Sequence, residues 1–174
     1  MKVEKKMEKK IEYRKILLKD KEKVDNLIKQ VTNNLVRKDF FIPIDTDEFL
    51  EFFDEEKCIV YGAFEEEKIV GIAKLDFLEN YLIELKELVD LKNCKVVELG
   101  RYLVLEEYRN HGIMSNLQNL LINEAMAMKF DYVIATVHPE NFPSKKVIAK
   151  AGMQLNKTAF LKNDYYRNIF IKKI

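Results

Sequence analysis

The chain has 174 residues, of which 48% are hydrophobic and 34% charged, and its 30 Lys and Arg residues are balanced by 29 Asp and Glu residues. This composition is typical of one globular domain with a buried core. The near-zero net charge argues against a general attraction to nucleic acid or to an anionic membrane, and no apolar run reaches the roughly 20 residues of a membrane span.

The residue types that build disulfides and metal sites are scarce. The chain contains two Cys residues, Cys58 and Cys94, and two His residues, His111 and His138. Such small numbers predict neither a disulfide framework nor a metal centre. Because no His pairs with either Cys in the sequence, both thiols are interpreted as core or surface residues and not as nucleophiles. A reducing, cytoplasmic compartment is expected.

The chain divides into a short charged extension and one domain. Residues 1–10 alternate Lys and Glu around no apolar centre, which is unlike a secretory signal peptide and predicts a solvated tail. Residues 11–174 are expected to form a single domain, since no repeat or low-complexity linker interrupts them.

Hydrophobic periodicity predicts the elements of the first half of the chain. Apolar residues recur every three or four positions in two segments and follow strand-like patterns in three others. Asp20 and Thr46 stand at the starts of the two helical segments and are expected to cap them. In chain order, the pattern predicts a strand over 11–18, helices over 21–34 and 46–54, and strands over 57–64 and 68–77.

The second half of the chain alternates strands and helices. Residues 80–92 fit either a helical turn or an excursion before the next strand, and Gly152 is expected to end a helix as its C-terminal cap. Because one helix joins two strands that must be parallel, the order predicts an α/β fold with one mixed sheet of about seven strands and helices on both faces. The pattern predicts strands over 96–105, 132–138, 154–161 and 165–172, and helices over 115–129 and 142–151.

The segment from Arg109 to Ser115 lies between a predicted strand and a predicted helix. Backbone N–H groups of the turn and of the first helical turn lack partners within the chain, and with the helix dipole they favour an anion such as a phosphate. Gly112 allows the backbone to approach that anion closely. Ser115 is expected to cap the helix or to donate to the phosphate. A plain strand–helix turn explains the same residues, so this segment alone leaves both interpretations open.

Together with a second motif, this segment resembles the GNAT superfamily of N-acetyltransferases, which bind acetyl-CoA. The pyrophosphate loop of that family has the pattern Arg/Gln-x-x-Gly-x-Gly/Ala, and here Arg109, Gly112 and Met114 stand at its defined positions, with Met at the last small one. The second motif is an Asn, a small residue, and a helix that ends in Gly and an aromatic residue. Its positions are occupied by Asn141, Ser144, Gly152 and Met153, with Met in place of the aromatic residue. The resemblance covers most of residues 12–171.

The resemblance implies where acetyl-CoA binds. The loop would hold the pyrophosphate, and the end of the preceding strand would pair with the amide groups of the pantetheine arm. Asn141 would donate to that arm, cap the following helix, or do both, and Arg109 would contact the ligand unless it pairs with Glu106 or Glu107. The implied cofactor-binding residues are Leu103, Val104, Leu105, Arg109, Asn110, His111, Gly112, Ile113, Met114, Ser115, Asn141 and Ser144.

The implied reaction is attack of an amine on a thioester, which needs a base, a donor for the oxyanion and an acid for the leaving thiolate. Glu98 is the predicted base, because some family members keep a catalytic Glu six residues before the position of Val104. Alternatively, Glu98 is a strand-edge carboxylate paired with Arg101 or a Lys. Asp76 is a second possible base. Strand N–H groups near Val104 are suited to the oxyanion.

The acid is where the chain departs most from the family. Many members carry a Tyr four residues before the Gly that ends the helix, and Ile148 stands there in this chain. Either the thiolate leaves without a dedicated acid or another hydroxyl serves. Tyr166 is assigned as that acid, with Tyr102, Tyr165 and Ser144 as the other available hydroxyl groups.

The sequence therefore predicts an acetyl-CoA-dependent N-acetyltransferase that acts without a metal on a primary amine of a small molecule or peptide, by direct attack in a ternary complex. The alternatives are a non-catalytic acyl-CoA-binding or regulatory module on the same fold, and a generic nucleotide binder. By resemblance, the acceptor site falls within 31–53 and 161–167, and its carboxylates either attract a cationic amine or form a solvated face. No nucleic-acid or membrane partner is expected, and a homodimer is one of the oligomeric states the sequence allows.

Overall fold

Seven strands form one mixed sheet in the computed structural model, which describes residues 10–77, 79–162 and 164–174. In chain order they are β1 (Ile11–Lys15), β2 (Cys58–Glu65), β3 (Lys68–Asp76), β4 (Val96–Val104), β5 (Tyr132–Val137), β6 (Gln154–Leu161) and β7 (Tyr165–Lys173). Their order across the sheet is β1, β2, β3, β4, β5, β7, β6. Only β4 and β5 pair in parallel, and the other neighbours are antiparallel. The predicted mixed sheet is confirmed.

Helices cover both faces of the sheet, as predicted. The helices are α1 (Lys21–Asn33), α2 (Thr46–Glu51), α3 (Glu79–Leu88), α4 (Ile113–Ala127) and α5 (Phe142–Lys150). In α3, Leu85 packs with Val96 and Ile134, whereas α4 belongs to the cluster that holds Val97 and Val133. Because successive strand residues point to opposite faces, α3 and α4 lie on opposite sides of β4 and β5. The segment over 80–92, for which the sequence allowed a helical turn or an excursion, therefore contains all of α3 except its first residue.

The side chains of two predicted capping residues, Asp20 and Thr46, do not cap their helices. Asp20 is the N-cap residue of α1, but its buried carboxylate makes no capping hydrogen bond to that helix. It accepts two hydrogen bonds from the Arg14 guanidinium, at 2.8 and 2.9 Å, and one from the N–H of Leu17 at 2.9 Å. The two charge-assisted bonds from Arg14 hold the carboxylate in place of a capping contact. Thr46 is the first residue of α2, and the cap is Asp45, whose carboxylate accepts the N–H of Glu48 at 2.8 Å.

Gly71 of β3 lies at a close approach between the sheet and α4. A Cβ atom at Gly71 would lie 3.1 Å from the carbonyl O of Leu103 and 3.2 Å from Cγ2 of Ile113, the first residue of α4. Both distances are shorter than ordinary van der Waals contacts, so the absence of a side chain lets the start of α4 pack directly over β3 and β4.

Two expectations concern the chain ends and the membrane. The predicted charged extension over 1–10 lies outside the described residues except for Lys10. In the part of the chain that the structure describes, no helix has the length and apolar character needed to cross a bilayer.

Candidate functional site

A cleft opens where β4 and β5 separate in the middle of the sheet. The two strands pair in parallel over residues 96–99 and 132–135, and this pairing stops before either strand ends. The cleft beyond that point has a volume of about 980 Å³. Residues of β4 and β5, of the segment between α1 and α2, and of the first turns of α4 and α5 form its walls. The exposed edge of β4 therefore faces a space large enough for a small ligand.

A β-bulge shapes the part of β4 that faces the cleft. Ile72 of β3 pairs with Leu103, and Lys74 pairs with Gly100, so two β4 residues stand opposite Ala73. One of those two, Arg101, has a φ of +53°. Bulges bend a strand and leave the extra residue outside the regular ladder. The sequence did not reveal this bulge, since a positive φ at a non-glycine residue has no signature in the pattern of apolar residues.

The N-terminus of α4 forms one end of the cleft. Gly112 is the N-cap residue with a φ of +75°, and the helix begins at Ile113. The prediction that Ser115 caps this helix is wrong, because Ser115 lies in its first turn. Asn110 also has a positive φ, of 64°, so the turn before the helix is tightly folded. The N–H groups of the first helical turn have no acceptor within the helix, which leaves them available to an anion.

Arg109 and His111 lie on the exposed side of this turn. The Nε atom of Arg109 donates to the carbonyl O of Val104 at 3.4 Å, so its guanidinium leans over the end of β4. Nδ1 of His111 lies 2.7 Å from the carbonyl O of Arg109, and the His111 ring is not part of the cleft lining. Arg109 is therefore placed to contact a ligand anion at the helix start.

Glu98 is a buried carboxyl group at the base of the cleft. Its side chain lies opposite Asp76 across the β3–β4 ladder, and the Thr136 hydroxyl donates to its Oε1 at 2.9 Å. Burial, and secondarily the charge of Asp76, raise the pKa of Glu98 to about 7. The alternative of a strand-edge carboxylate is wrong, because β4 lies between β3 and β5. The contact with Thr136 could not be predicted, since it depends on how β4 and β5 align.

Four charged side chains connect the cleft floor to α2. Arg101 binds Glu48 of α2 through two hydrogen bonds, at 2.6 and 2.7 Å. The Nζ atom of Lys74, buried under α2, lies 2.6 Å from the carboxylate of Asp76 and 3.7 Å from that of Glu48. Arg101 thus pairs with Glu48 instead of Glu98, the partner expected for it in the alternative interpretation of Glu98.

The helix α5 supplies a third wall. The side chain of Asn141 accepts the N–H of Ser144 at 3.3 Å, which confirms the predicted cap. Ile148, which stands where the resemblance would place a Tyr, is buried, with an exposure of 1%. Two exposed lysines of α5, Lys146 and Lys150, line the cleft one helical turn apart, and sequence reasoning missed them. A Lys on a helix surface is too common to be recognised as a site residue without the fold.

The structure brings most of the predicted site residues together. Eleven of them line the cleft: Glu98, Leu103, Val104, Arg109, Asn110, Gly112, Ile113, Met114, Ser115, Asn141 and Ser144. Leu105 lies in the core, and its N–H donates to Val70. Tyr166 lies apart from the cleft lining, where its half-exposed ring packs against Phe160 with 4.8 Å between ring centroids.

The Cys58 thiol is buried and donates to the carbonyl O of Glu51 at 3.1 Å, and burial raises the pKa of Cys58 to about 12. At neutral pH it is therefore a protonated, unreactive thiol. Within residues 10–77, 79–162 and 164–174, no group of three or more His, Cys, Asp or Glu side chains is arranged to hold a metal ion.

The comparison with protein families identifies one family. The model of the acetyltransferase (GNAT) family matches residues 29–153. No curated protein matches the sequence. Among solved structures, Arabidopsis thaliana NAA60 in complex with acetyl-CoA has 15% identity and a TM-score of 0.75, covering 95% of this chain and 99% of that chain. A ribosomal-protein-S5-alanine acetyltransferase from Vibrio fischeri has 17% identity and a TM-score of 0.71, with coverage of 94% and 92%. The TM-scores show that both proteins share the fold of this chain, and at such low identities the likeness extends to the fold alone.

Proposed function

This chain belongs to the acetyltransferase (GNAT) family, and we propose that it transfers the acetyl group of acetyl-CoA to a primary amine of a small molecule or peptide. One observation carries the proposal: a single cleft holds both the N-terminus of α4 and the buried carboxyl of Glu98. The first is an anion site and the second a proton acceptor near neutral pH. The acetyl-CoA complex of NAA60, which shares the fold, supports the choice of cosubstrate.

The residues of the cleft fit the chemistry of acetyl-CoA. N–H groups from the first turn of α4, with the Arg109 guanidinium beside them, would hold the pyrophosphate. The end of β4 beyond Leu99, where pairing with β5 stops, offers strand N–H and C=O groups to the two amides of the pantetheine arm. The side chain of Asn141 keeps its NH₂ group free for the same arm, because its cap contact uses the oxygen.

Glu98 would then act as the base. The amine nitrogen forms a bond to the carbonyl carbon of the thioester, and Glu98 accepts the proton that the nitrogen loses, directly or through water. N–H groups near Val104 donate to the developing oxyanion. The carbon–sulfur bond breaks, and the thiolate takes up a proton. Of the hydroxyl groups considered as the acid, Tyr102 and Ser144 line the cleft, whereas Tyr165 and Tyr166 do not.

A second function is a non-catalytic acyl-CoA-binding module. The observation that favours it is Ile148, which is buried and carries no hydroxyl at the position where many relatives have a Tyr. Such a module would bind acetyl-CoA as tightly as the enzyme does, but added amines would not accelerate release of the CoA thiol.

The decisive experiment has two readouts. Acetyl-CoA at millimolar concentration should raise the melting temperature, and ATP should compete weakly. Thiol release should be stimulated by at least one primary amine in a panel that contains diamines, aryl alkylamines and peptides with free N-termini. A melting-temperature shift without amine stimulation would favour the binding module. The absence of any shift would contradict both functions, and equal competition by ATP would indicate a generic nucleotide binder.

A further inference from the structure

Arg101 connects two walls of the cleft that belong to different parts of the chain. Besides its two bonds to Glu48, its Nη1 atom donates to the carbonyl O of Ile42 at 2.5 Å. The Phe41 ring centroid lies 5.2 Å from the guanidinium carbon. The side chains of Arg101 and Glu48 are only 16% and 19% exposed. A planar guanidinium that binds a carboxylate with two bonds fixes both distance and orientation.

The backbone of Arg101 belongs to the bulge of β4. A φ of +53° is costly for a residue with a side chain, and such a conformation persists where the surroundings hold it. The contacts of the guanidinium with Glu48 and Ile42 supply that support. The same residue therefore shapes the strand edge that faces the ligand and holds the opposite wall.

We propose that Arg101 is a positioning residue that fixes the acceptor wall, defined as residues 41–51, relative to the bulge of β4. This inference rests on the proposed function, in which the edge of β4 faces the thioester. An attacking atom must lie within roughly 3–3.5 Å of its target, so a wall displaced by about 1 Å would bind the amine poorly in the reactive position and lower kcat/KM for the amine. Lys74 extends the connection, since it lies between Glu48 and the Asp76 carboxylate that faces Glu98.

Two substitutions of Arg101 separate the effect of its side chain from that of its backbone conformation. Arg101→Gly removes the guanidinium while its backbone tolerates a positive φ, so the bulge is retained. Arg101→Lys keeps the charge but loses the two-bond geometry. Glu48→Gln tests the same contact from the other side. Lys57→Ala is the matched control, because Lys57 binds Glu51 of α2 at 3.0 Å without touching the bulge.

The variants should be compared by hydrogen–deuterium exchange of residues 41–51, by KM and kcat for the most active amine of the panel, and by the Kd for acetyl-CoA. In Arg101→Gly and Glu48→Gln, exchange of the wall should accelerate and the KM for the amine should rise about tenfold, while the Kd for acetyl-CoA changes less than about twofold. The double variant should be no worse than Arg101→Gly alone, because that substitution already removes the contact with Glu48. Arg101→Lys should recover part of the KM, and Lys57→Ala should resemble the wild type.

Wild-type exchange and KM in Arg101→Gly would overturn the inference. A Kd for acetyl-CoA that rises in parallel with the KM would also overturn it, since Arg101 would then support the cosubstrate site. If the wild-type protein acetylates no amine, the proposed function fails on its own. The exchange measurement still decides in that case whether Arg101 holds the wall.

Discussion

Asp76 and Glu98 stand directly opposite each other on β3 and β4, yet they have different partners. The ammonium of Lys74 lies 2.6 Å from Asp76, whereas the neutral hydroxyl of Thr136 donates to Glu98 at 2.9 Å. Two neighbouring carboxyl groups in unlike environments divide the roles of proton acceptor and fixed charge.

The first prediction concerns the pH dependence of the reaction. Because the pKa of Glu98 is raised to about 7, kcat/KM should rise with pH and level off above pH 7. Glu98→Gln should lower kcat/KM by about 100-fold and remove this step from the profile. Initial rates of thiol release between pH 5.5 and 9 measure both effects. An unchanged kcat/KM in the variant would show that Glu98 is not the base.

The second prediction concerns stability. Glu98 keeps its proton up to about pH 7 in the folded chain, whereas the ordinary carboxyl of the unfolded chain loses it near pH 4.5. The folded state therefore binds more protons between these values, and this group lowers the free energy of unfolding as the pH rises through the interval. The difference in free energy of unfolding between Glu98→Gln and the wild type should therefore change by up to about 3 kcal/mol in favour of the variant as the pH rises from 4.5 to 8. Urea unfolding of both proteins at pH 4.5 and at pH 8 measures this change. An equal difference between the two proteins at both pH values would contradict the prediction.

The third prediction separates Asp76 from Glu98. Since the negative charge of Asp76 raises the pKa of Glu98, Asp76→Asn should move the step in the pH–rate profile to lower pH while leaving the step in place. Asp25→Asn, an exposed carboxylate of α1 that pairs with Lys29, is the control and should leave the profile unchanged. A shift to higher pH in Asp76→Asn would mean that the carboxylate of Asp76 does not act on Glu98 through its charge.

The fourth prediction tests the start of α4. A Cβ atom at Gly112 meets nothing within 4 Å, so Gly112→Ala should fold and lose only the roughly 1 kcal/mol that a left-handed φ costs a residue with a side chain. It should keep the melting-temperature shift caused by acetyl-CoA. Gly112→Glu places a carboxylate where the phosphates are expected and should abolish that shift. Equal shifts in the two variants would place the pyrophosphate elsewhere.

The fifth prediction assigns a role to Lys146 and Lys150. Both ammonium groups lie on the α5 wall of the cleft, where they are placed to attract the 3′-phosphate of CoA. Replacing both with Ala should weaken binding of CoA by about tenfold and change binding of 3′-dephospho-CoA much less. Lys145→Ala serves as the control, because its ammonium donates to the carbonyl O of Pro139 at 3.0 Å. Isothermal titration with both ligands decides, and equal losses would rule out a role in recognising this phosphate.

Local patterns were sufficient to predict most of the fold. Asn141 and Gly152 delimit α5 because a cap and a left-handed glycine act through neighbours in sequence. The start of α1 after Asp20 was predicted correctly, but the Asp20 carboxylate binds Arg14 and does not cap the helix. The start predicted at Ser115 was wrong, because α4 begins two residues earlier, directly after Gly112.

The sequence predicted those parts of the site that lie within a local motif. The residues of the turn before α4 and the carboxyl of Glu98 share one cleft, as the resemblance implies. The contacts between Arg101 and Glu48 and between Glu98 and Thr136 were not foreseen, because they join residues 53 and 38 positions apart. Such pairs depend on strand register and on a bulge, which the periodicity of apolar residues does not encode.

Gly71 extends the set of positions that control the ligand site. A methyl group there would press on Leu103 and on the first residue of α4, and they would have to yield by a few tenths of an ångström. The converging N–H groups would shift with them, although Gly71 itself lies beneath the helix. Random mutagenesis selected for altered cosubstrate affinity should therefore return substitutions at position 71, alongside those in the turn that faces the ligand.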